Sequence, residues 1–283
     1  MKIRFGPAGN GDSYQPKKET IPQYIVRMGL TAYEYQCGHG VRVTAEKAAA
    51  LGAEAKEKGI SLSLHSPYYI SLSSVSEETR ASAVDYILQS ARAADAMGAE
   101  RVVVHSGSCA KITREEALGL AKETLKNALD AMRAEGLYHI RLCPETMGKI
   151  NQLGTLSEVL SLCAEDENLI PCIDFGHLNA RTLGSIQTGA DYAAILDETE
   201  RVLGRDRALR FHSHFSKIEY TVSGGEKKHL TFEDSIFGPD FAPLAEELVR
   251  RNATPTIICE SAGTQAEDAR QMLELVRSAG GIV

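Results

Sequence analysis

Six short apolar runs in this 283-residue chain each close on an imidazole or a carboxylate. They are LSLHSPYYI at His65, VVVHSGS at His105, IRLCPET at Glu145, PCIDFGH at Asp174, RFHSHFSK at His214 and TIICESAG at Glu260. Imidazole nitrogen and carboxylate oxygen are the ligands that zinc and manganese take. Taken singly, a histidine that ends a strand is usually a hydrogen-bonded structural group, and a buried acid is usually an ion-pair or cap partner. Gathered at one place they are costly without compensation, and cations remove that cost. Two further histidines extend the set. His177 follows Asp174 by three residues, and Gly176 between them permits the tight turn a loop ligand needs. His229 lies in a long loop, 216–234. His212 and His214 project to one face of a regular strand. His214, nearer the end, is the better ligand; His212, one layer deeper, supports it or packs in the core. His39 and His139 have no such context and read as structural or solvent-exposed.

Elements that could bring these groups together alternate along the whole chain. Strands are expected at 2–5, 32–36, 61–65, 101–105, 139–144, 170–174, 209–214 and 256–260. Amphipathic helices are expected at 44–58, 77–97, 114–134, 155–164, 190–203, 241–251 and 268–277. Their apolar residues recur at i, i+3 and i+4, as in Ala83, Ile87, Ala91 and Ala94. Thr44 suits a helix N-cap, and Gly59, Gly98 and Gly136 suit helix C-termini. Strand–helix alternation implies parallel pairing through crossovers. Eight such units without a Gly-rich phosphate fingerprint point to a closed (β/α)8 TIM barrel, whose strands deliver their carboxyl ends to one mouth. No linker or composition shift divides 1–283, so one domain is expected.

The remaining composition sets bounds. With 31 basic and 38 acidic residues the net charge is −7, which argues against a protein coated by nucleic acid but allows a local basic rim. Metal ligation changes the local sign of an acidic site. The six cysteines contain no C-x-x-C, and their scatter implies free thiols in a reducing, cytoplasmic setting. Cys143, Cys172 and Cys259 fall in expected strands and read as small core residues. No apolar run reaches the ~20 residues of a membrane span. Nothing in the pattern specifies an obligate protein partner, and no Ser/His/Asp or Cys/His triad stands out.

From His65-Ser-Pro-Tyr-Tyr-Ile to Cys259-Glu260-Ser, the chain resembles the endonuclease IV family of apurinic/apyrimidinic endonucleases, within the xylose-isomerase-like barrels. The resemblance implies hydrolysis of the phosphodiester 5′ to an abasic site in double-stranded DNA, with two Zn2+ ions, a third in addition, and Mn2+ as a substitute. It implies that His65, His105 and Glu145 hold the first ion. Glu145 would bridge to a second ion held by Asp174, His214 and Glu260, with Glu145 and Glu260 as the catalytic carboxylates. His177 and His229 would hold the third. A metal pair lowers the pKa of bound water and neutralises charge on the in-line transition state. Tyr68 and Tyr69 either line the mouth or, as the resemblance implies, supply a wedge. Arg181 and Lys227, with Lys149, Lys217 and Lys228, fall in expected mouth loops, where they are either solvated loop residues or a basic rim.

Three departures accompany the resemblance. The family places an Asp two residues before the histidine aligned with His229, and Lys227 stands there. The third site is therefore weakened, completed by another group such as His212 or Glu226, or absent. The segment after the second strand, Tyr35-Gln-Cys-Gly-His-Gly-Val-Arg, lacks the family's DNA-contacting loop. The region after Glu145 keeps only a Gly-rich polar loop. Two other readings stay open: a sugar isomerase or epimerase on the same barrel, and a non-catalytic metal-binding barrel.

Overall fold

A computed structural model of the chain describes residues 2–283. Its strands, in chain order, are β1 (Arg4–Pro7), β2 (Ala32–Gln36), β3 (Ser61–His65), β4 (Arg101–Val104), β5 (Arg141–Pro144), β6 (Cys172–Asp174), β7 (His212–Phe215), β8 (Ile218–Thr221), β9 (Gly225–His229) and β10 (Thr256–Cys259). Hydrogen-bonded ladders run β1–β10–β7–β6 and β2–β3–β4–β5, and the strands within them pair in parallel. Parallel bridges from Ala8 to Glu34 and from Glu145 to Cys172 join the two ladders at both seams. The result is a closed eight-stranded TIM barrel. β8 and β9 form a separate antiparallel hairpin.

The helices are α1 (Ile21–Arg27), α2 (Ala45–Glu57), α3 (Glu77–Met97), α4 (Arg114–Ala134), α5 (Leu156–Cys163), α6 (Phe175–Arg181), α7 (Gly189–Leu203), α8 (Arg205–Leu209), α9 (Ala242–Arg251) and α10 (Gln265–Ser278). Side-chain oxygens of Thr44, Ser76, Thr113 and Thr155 cap α2, α3, α4 and α5, each cap contributing about 1 kcal/mol. Gly59, Gly98 and Gly136 sit at φ +69°, +66° and +73°, the left-handed conformation that lets the chain leave a helix without a Cβ clash. α3 buries Ala83, Ile87, Ala91 and Ala94 against the barrel, the face expected from their spacing. Among the described residues, no helix is long and apolar enough to cross a membrane.

The structure corrects several boundaries. The first strand is Arg4–Pro7 rather than 2–5, because its register is set by β10, Arg4 opposite Thr256 and Pro7 opposite Cys259. The loop expected at 216–234 contains the β8–β9 hairpin. Helices α1, α6 and α8 are additions to the expected pattern. α1 begins with a capping box between Thr20 and Gln23, with a proline in its first turn. α8 ends at Leu209, where the seventh strand is expected to start.

Because side chains alternate along a strand, the residues two positions before each mouth residue form the layer beneath it. Here that layer holds Ser63, Val103, Cys143, Cys172 and His212, all buried. At the opposite end Arg101 donates to the carbonyls of Phe211 (3.2 Å) and Arg210 (3.0 Å), closing the barrel floor.

Candidate metal centre

Glu145, the residue that follows β5, is 1% exposed and lies at the centre of the mouth. Its Oε2 is 3.4 Å from His65 Nε2 and 3.2 Å from His105 Nε2. Its Oε1 is 3.0 Å from His214 Nδ1 and 3.4 Å from His177 Nδ1. Four histidines, from β3, β7, α6 and the end of β4, thus meet one carboxylate. Ligand atoms of Glu145, Asp174, His214 and Glu260 also lie within 4.8 Å of one another, as do those of His65, Glu145 and His214.

Three of the rings are fixed by a backbone carbonyl at Nδ1. His65 Nδ1–H donates to the Ser66 carbonyl (2.7 Å) and His105 Nδ1–H to the Tyr68 carbonyl (3.1 Å). His177 Nδ1–H donates to the Thr146 carbonyl (2.9 Å). A neutral histidine has one N–H, so these bonds aim the Nε2 lone pairs of His65 and His105 at Glu145. Lone pair facing carboxylate is repulsive unless a positive charge lies between them. Glu145 Oε2 and Asp174 Oδ2 are buried without a hydrogen-bond partner among the described residues. Buried acceptors left unpaired are rare, and this pair fits the donor set of a divalent cation.

The electrostatics carry the same demand. Burial would lower His65, but the close approach and charge of Glu145, with Glu34 beyond, raise it to about 9. Burial would raise Glu145; the charge of His214 and the close approach of the His105, His177 and His214 rings reverse this and hold it well below the carboxylate range. Asp174 is pushed up by burial, which with the repulsion of Glu260 and Glu145 outweighs the opposing charges of His177 and His214. Positive charge, as protons or as metal ions, is what these acids require.

The outer group is assembled differently. Asp174 caps α6 by accepting from the His177 backbone N–H at 2.6 Å, so His177 sits in the first turn of a helix rather than in a loop. Gly176 is needed there for space and not for a tight turn, since a Cβ would lie 2.5 Å from the Ser216 carbonyl oxygen. His177 Nε2 is 3.4 Å from Glu226 Oε2, and ligand atoms of His177, Glu226 and His229 lie within 4.8 Å of one another. His229 Nδ1 pairs with Ser216 Oγ at 2.8 Å.

Glu226 supplies the acid that Lys227 cannot, and a bulge explains how. Glu219 pairs with Lys228 and Tyr220 with Glu226, leaving Lys227 as the extra residue. An extra residue shifts the side-chain alternation by one. Glu226 and His229 therefore share the inner face although they are three apart. Lys227 and Lys228 both turn outward to Glu219, at 2.5 and 3.4 Å. His212, the other candidate for this role, lies elsewhere: it is fully buried, 2.9 Å from Glu34.

The structure also locates the candidate DNA contacts. Tyr68 and Tyr69 are 51% and 45% exposed at the mouth, and Tyr68 Oη lies 3.3 Å from His39 Nδ1. Lys149 and Lys228 are exposed. Lys217 is tied to the Asp234 carbonyl and Asp240. Arg181 donates to the carbonyls of Met147, Lys149 and Gln152, so its guanidinium organises the loop after Glu145. His139 is exposed and paired with Asp95, outside the centre.

One participant escapes the sequence reading. Glu34, in mid-β2, is 0% exposed and takes hydrogen bonds from His214 Nε2 (2.9 Å), His212 Nε2 (2.9 Å), Ser63 Oγ (2.9 Å) and Gln36 Nε2 (3.1 Å). An acid between Tyr33 and Tyr35 in an expected buried strand is the available signal.

The fold agrees with known proteins. Residues 22–279 match the xylose isomerase-like TIM barrel family. The chain belongs to that family. Among its xylose isomerase-like relatives, an uncharacterised protein of Methanocaldococcus jannaschii is 34% identical, covering 92% of each chain. A probable endonuclease 4 of Acholeplasma laidlawii is 30% identical over 62% of this chain and 61% of its own length, so the chain matches somewhat under two thirds of that protein. A solved D-tagatose 3-epimerase-like protein superposes with TM-score 0.74 at 19% identity, covering 99% of this chain and 100% of its own. Endonuclease IV from Thermus thermophilus gives 0.66 at 21%, covering 91% and 92%. Both structures share the fold, one being named for sugar chemistry and the other for DNA cleavage.

Proposed function

We propose that this barrel is a zinc-dependent phosphodiesterase of the endonuclease IV type that cuts double-stranded DNA 5′ to abasic sites, with manganese able to replace zinc. The observation that supports this most is the size of the ligand set. Glu145, Asp174, His214 and Glu260 suffice for one ion. His65 and His105 on the far oxygen of Glu145, and the separate His177–Glu226–His229 group, exceed what one ion needs.

In this reading His65, His105 and Glu145 hold one ion, the quartet holds a second, and His177, Glu226 and His229 hold a third. Zinc ions at such a site acidify water and neutralise charge on phosphoryl oxygens. The protein's own part is orientation. Carbonyls of Ser66, Tyr68 and Thr146 lock three rings, and Glu145 links the two inner groups of ligands. Glu260 is the quartet's most accessible acid, its side chain 16% exposed against 0–1% for the others. It is placed to orient the attacking water and take its proton. Tyr68 and Tyr69 stand where a wedge into the duplex would enter.

A sugar epimerase is the second reading, supported by the self-sufficient quartet and by the absence of a DNA-contacting loop after β2. Purified, zinc-loaded protein incubated with a duplex bearing one synthetic abasic site separates the two. Incision that disappears in Glu145→Gln supports the nuclease. No incision with zinc or manganese, together with turnover of ketohexoses, overturns it.

A further inference from the structure

We infer that Glu34 is a positioning residue that fixes which nitrogen of His214 faces the metal centre, with His212 and Ser63 clamping the carboxylate from below. This rests on the metal-centre reading above. His65, His105 and His177 are each oriented by a backbone carbonyl at Nδ1. His214 has the opposite arrangement: its Nδ1 faces Glu145 at 3.0 Å and Glu260 at 3.5 Å, while Nε2 faces Glu34 Oε1 at 2.9 Å. A carboxylate cannot donate, so Nε2 carries the hydrogen toward Glu34, and in the neutral ring of a metal-loaded centre Nδ1 would present its lone pair.

The other three contacts to Glu34 leave it no freedom to turn away. His212 Nε2 and Ser63 Oγ both reach Oε2 at 2.9 Å, and Gln36 Nε2 reaches Oε1 at 3.1 Å. Glu34, His212 and His214 are all 0% exposed, so no bulk water can substitute. His212 Nδ1 has no partner among the described residues, which leaves Glu34 as that ring's sole polar anchor. With His214 neutral, as a metal ligand would be, Glu34 is held only by neutral donors and its buried charge is uncompensated. Passed through the imidazole, that charge makes Nδ1 a stronger donor to a cation, the role acids commonly play behind metal-bound histidines. The layer below contributes Ser63 and His212 to Glu34 itself rather than to the ligands.

The test measures zinc affinity of folded protein by chelator competition at low temperature, with circular dichroism verifying the fold of each variant. Wild-type protein binding fewer than two ions would count against the metal-centre reading itself, independently of Glu34. With at least two ions bound, Glu34→Ala should weaken one of them by about 10–100-fold, the range for orienting partners, and cobalt substitution should show an altered ligand-field spectrum for one ion. Glu34→Gln keeps an oxygen for His214 and should fall between wild type and alanine. A folded Glu34→Ala protein within about threefold of wild type, well below that range, overturns the proposal. Should alanine prevent folding, Glu34→Gln decides alone: a weaker zinc affinity with a changed cobalt spectrum supports the role, and unchanged affinity with an unchanged spectrum overturns it.

Discussion

The inner ligands stand on or just beyond barrel strands, whereas two of the three outer ligands ride on a hairpin that lies outside the barrel's ladders. His65 and His214 are each held by strands on both sides, and Glu145 is sealed at 1% exposure. Glu226 and His229 lie on β9, which pairs with β8 and is tied to the loop after β5 by the bridge from Lys149 to Gly225 and the Glu226 N–H donating to the Gly148 carbonyl. Barrel strands place side chains by a register that cannot slip without turning every residue over. A bulged hairpin places them by a local irregularity. The inner group should therefore be a rigid constant of this chain and the outer group its adjustable part.

Breaking the inner group should have the largest effect. Glu145→Gln removes the charge that four histidines face. Zinc affinity should drop more than about 100-fold, beyond the loss typical of partners that only orient a ligand, and metal analysis should show both inner ions released. Glu226→Ala should act on one ion only. Stoichiometry should fall by one per chain, with the inner ions retained, and incision should slow without vanishing.

A smaller effect is expected from Gly148→Ala, which touches no ligand atom by charge. An added methyl would lie 2.6 Å from Glu226 Cβ and 3.0 Å from His177 Cδ2, so the hairpin must shift, at about 1–3 kcal/mol of overpacking. Thermal unfolding should register the loss, and outer-ion occupancy should fall with it. Least of all is expected from Lys227→Asp. Restoring the acid two residues before His229 should not raise metal occupancy, because the bulge points that side chain outward beside Glu219. A gain in bound metal there would show the bulge to be wrong.

The same contrast explains what is legible in the sequence. Strand ends at His65 and Asp174 fall where alternating strands and helices put them, and the bounds of α3 and α4 match their apolar spacing and caps. The outer group obeys no such period. α6 is short and contains Gly176, a poor helix residue, so Asp-Phe-Gly-His has the look of a turn. The hairpin segment from Glu219 to His229 is polar and lacks strict alternation; its Ser-Gly-Gly turn signal is present but outweighed. A bulge leaves no mark in composition, which is why the position of Lys227 suggests a missing acid. Glu34 is hidden for another reason: its role is visible only once β2 and β7 face each other across the barrel.

The central claim is that Glu145 joins two groups of ligands and that a third group stands beside them. Anomalous diffraction from zinc-loaded crystals, collected at the zinc edge, addresses it directly. The expected map has a peak flanked by His65, His105 and Glu145, a second among Glu145, Asp174, His214 and Glu260, and a third at His177, Glu226 and His229. A single peak within the quartet, with none beside His65 and His105, would contradict the claim and favour the one-ion sugar chemistry instead.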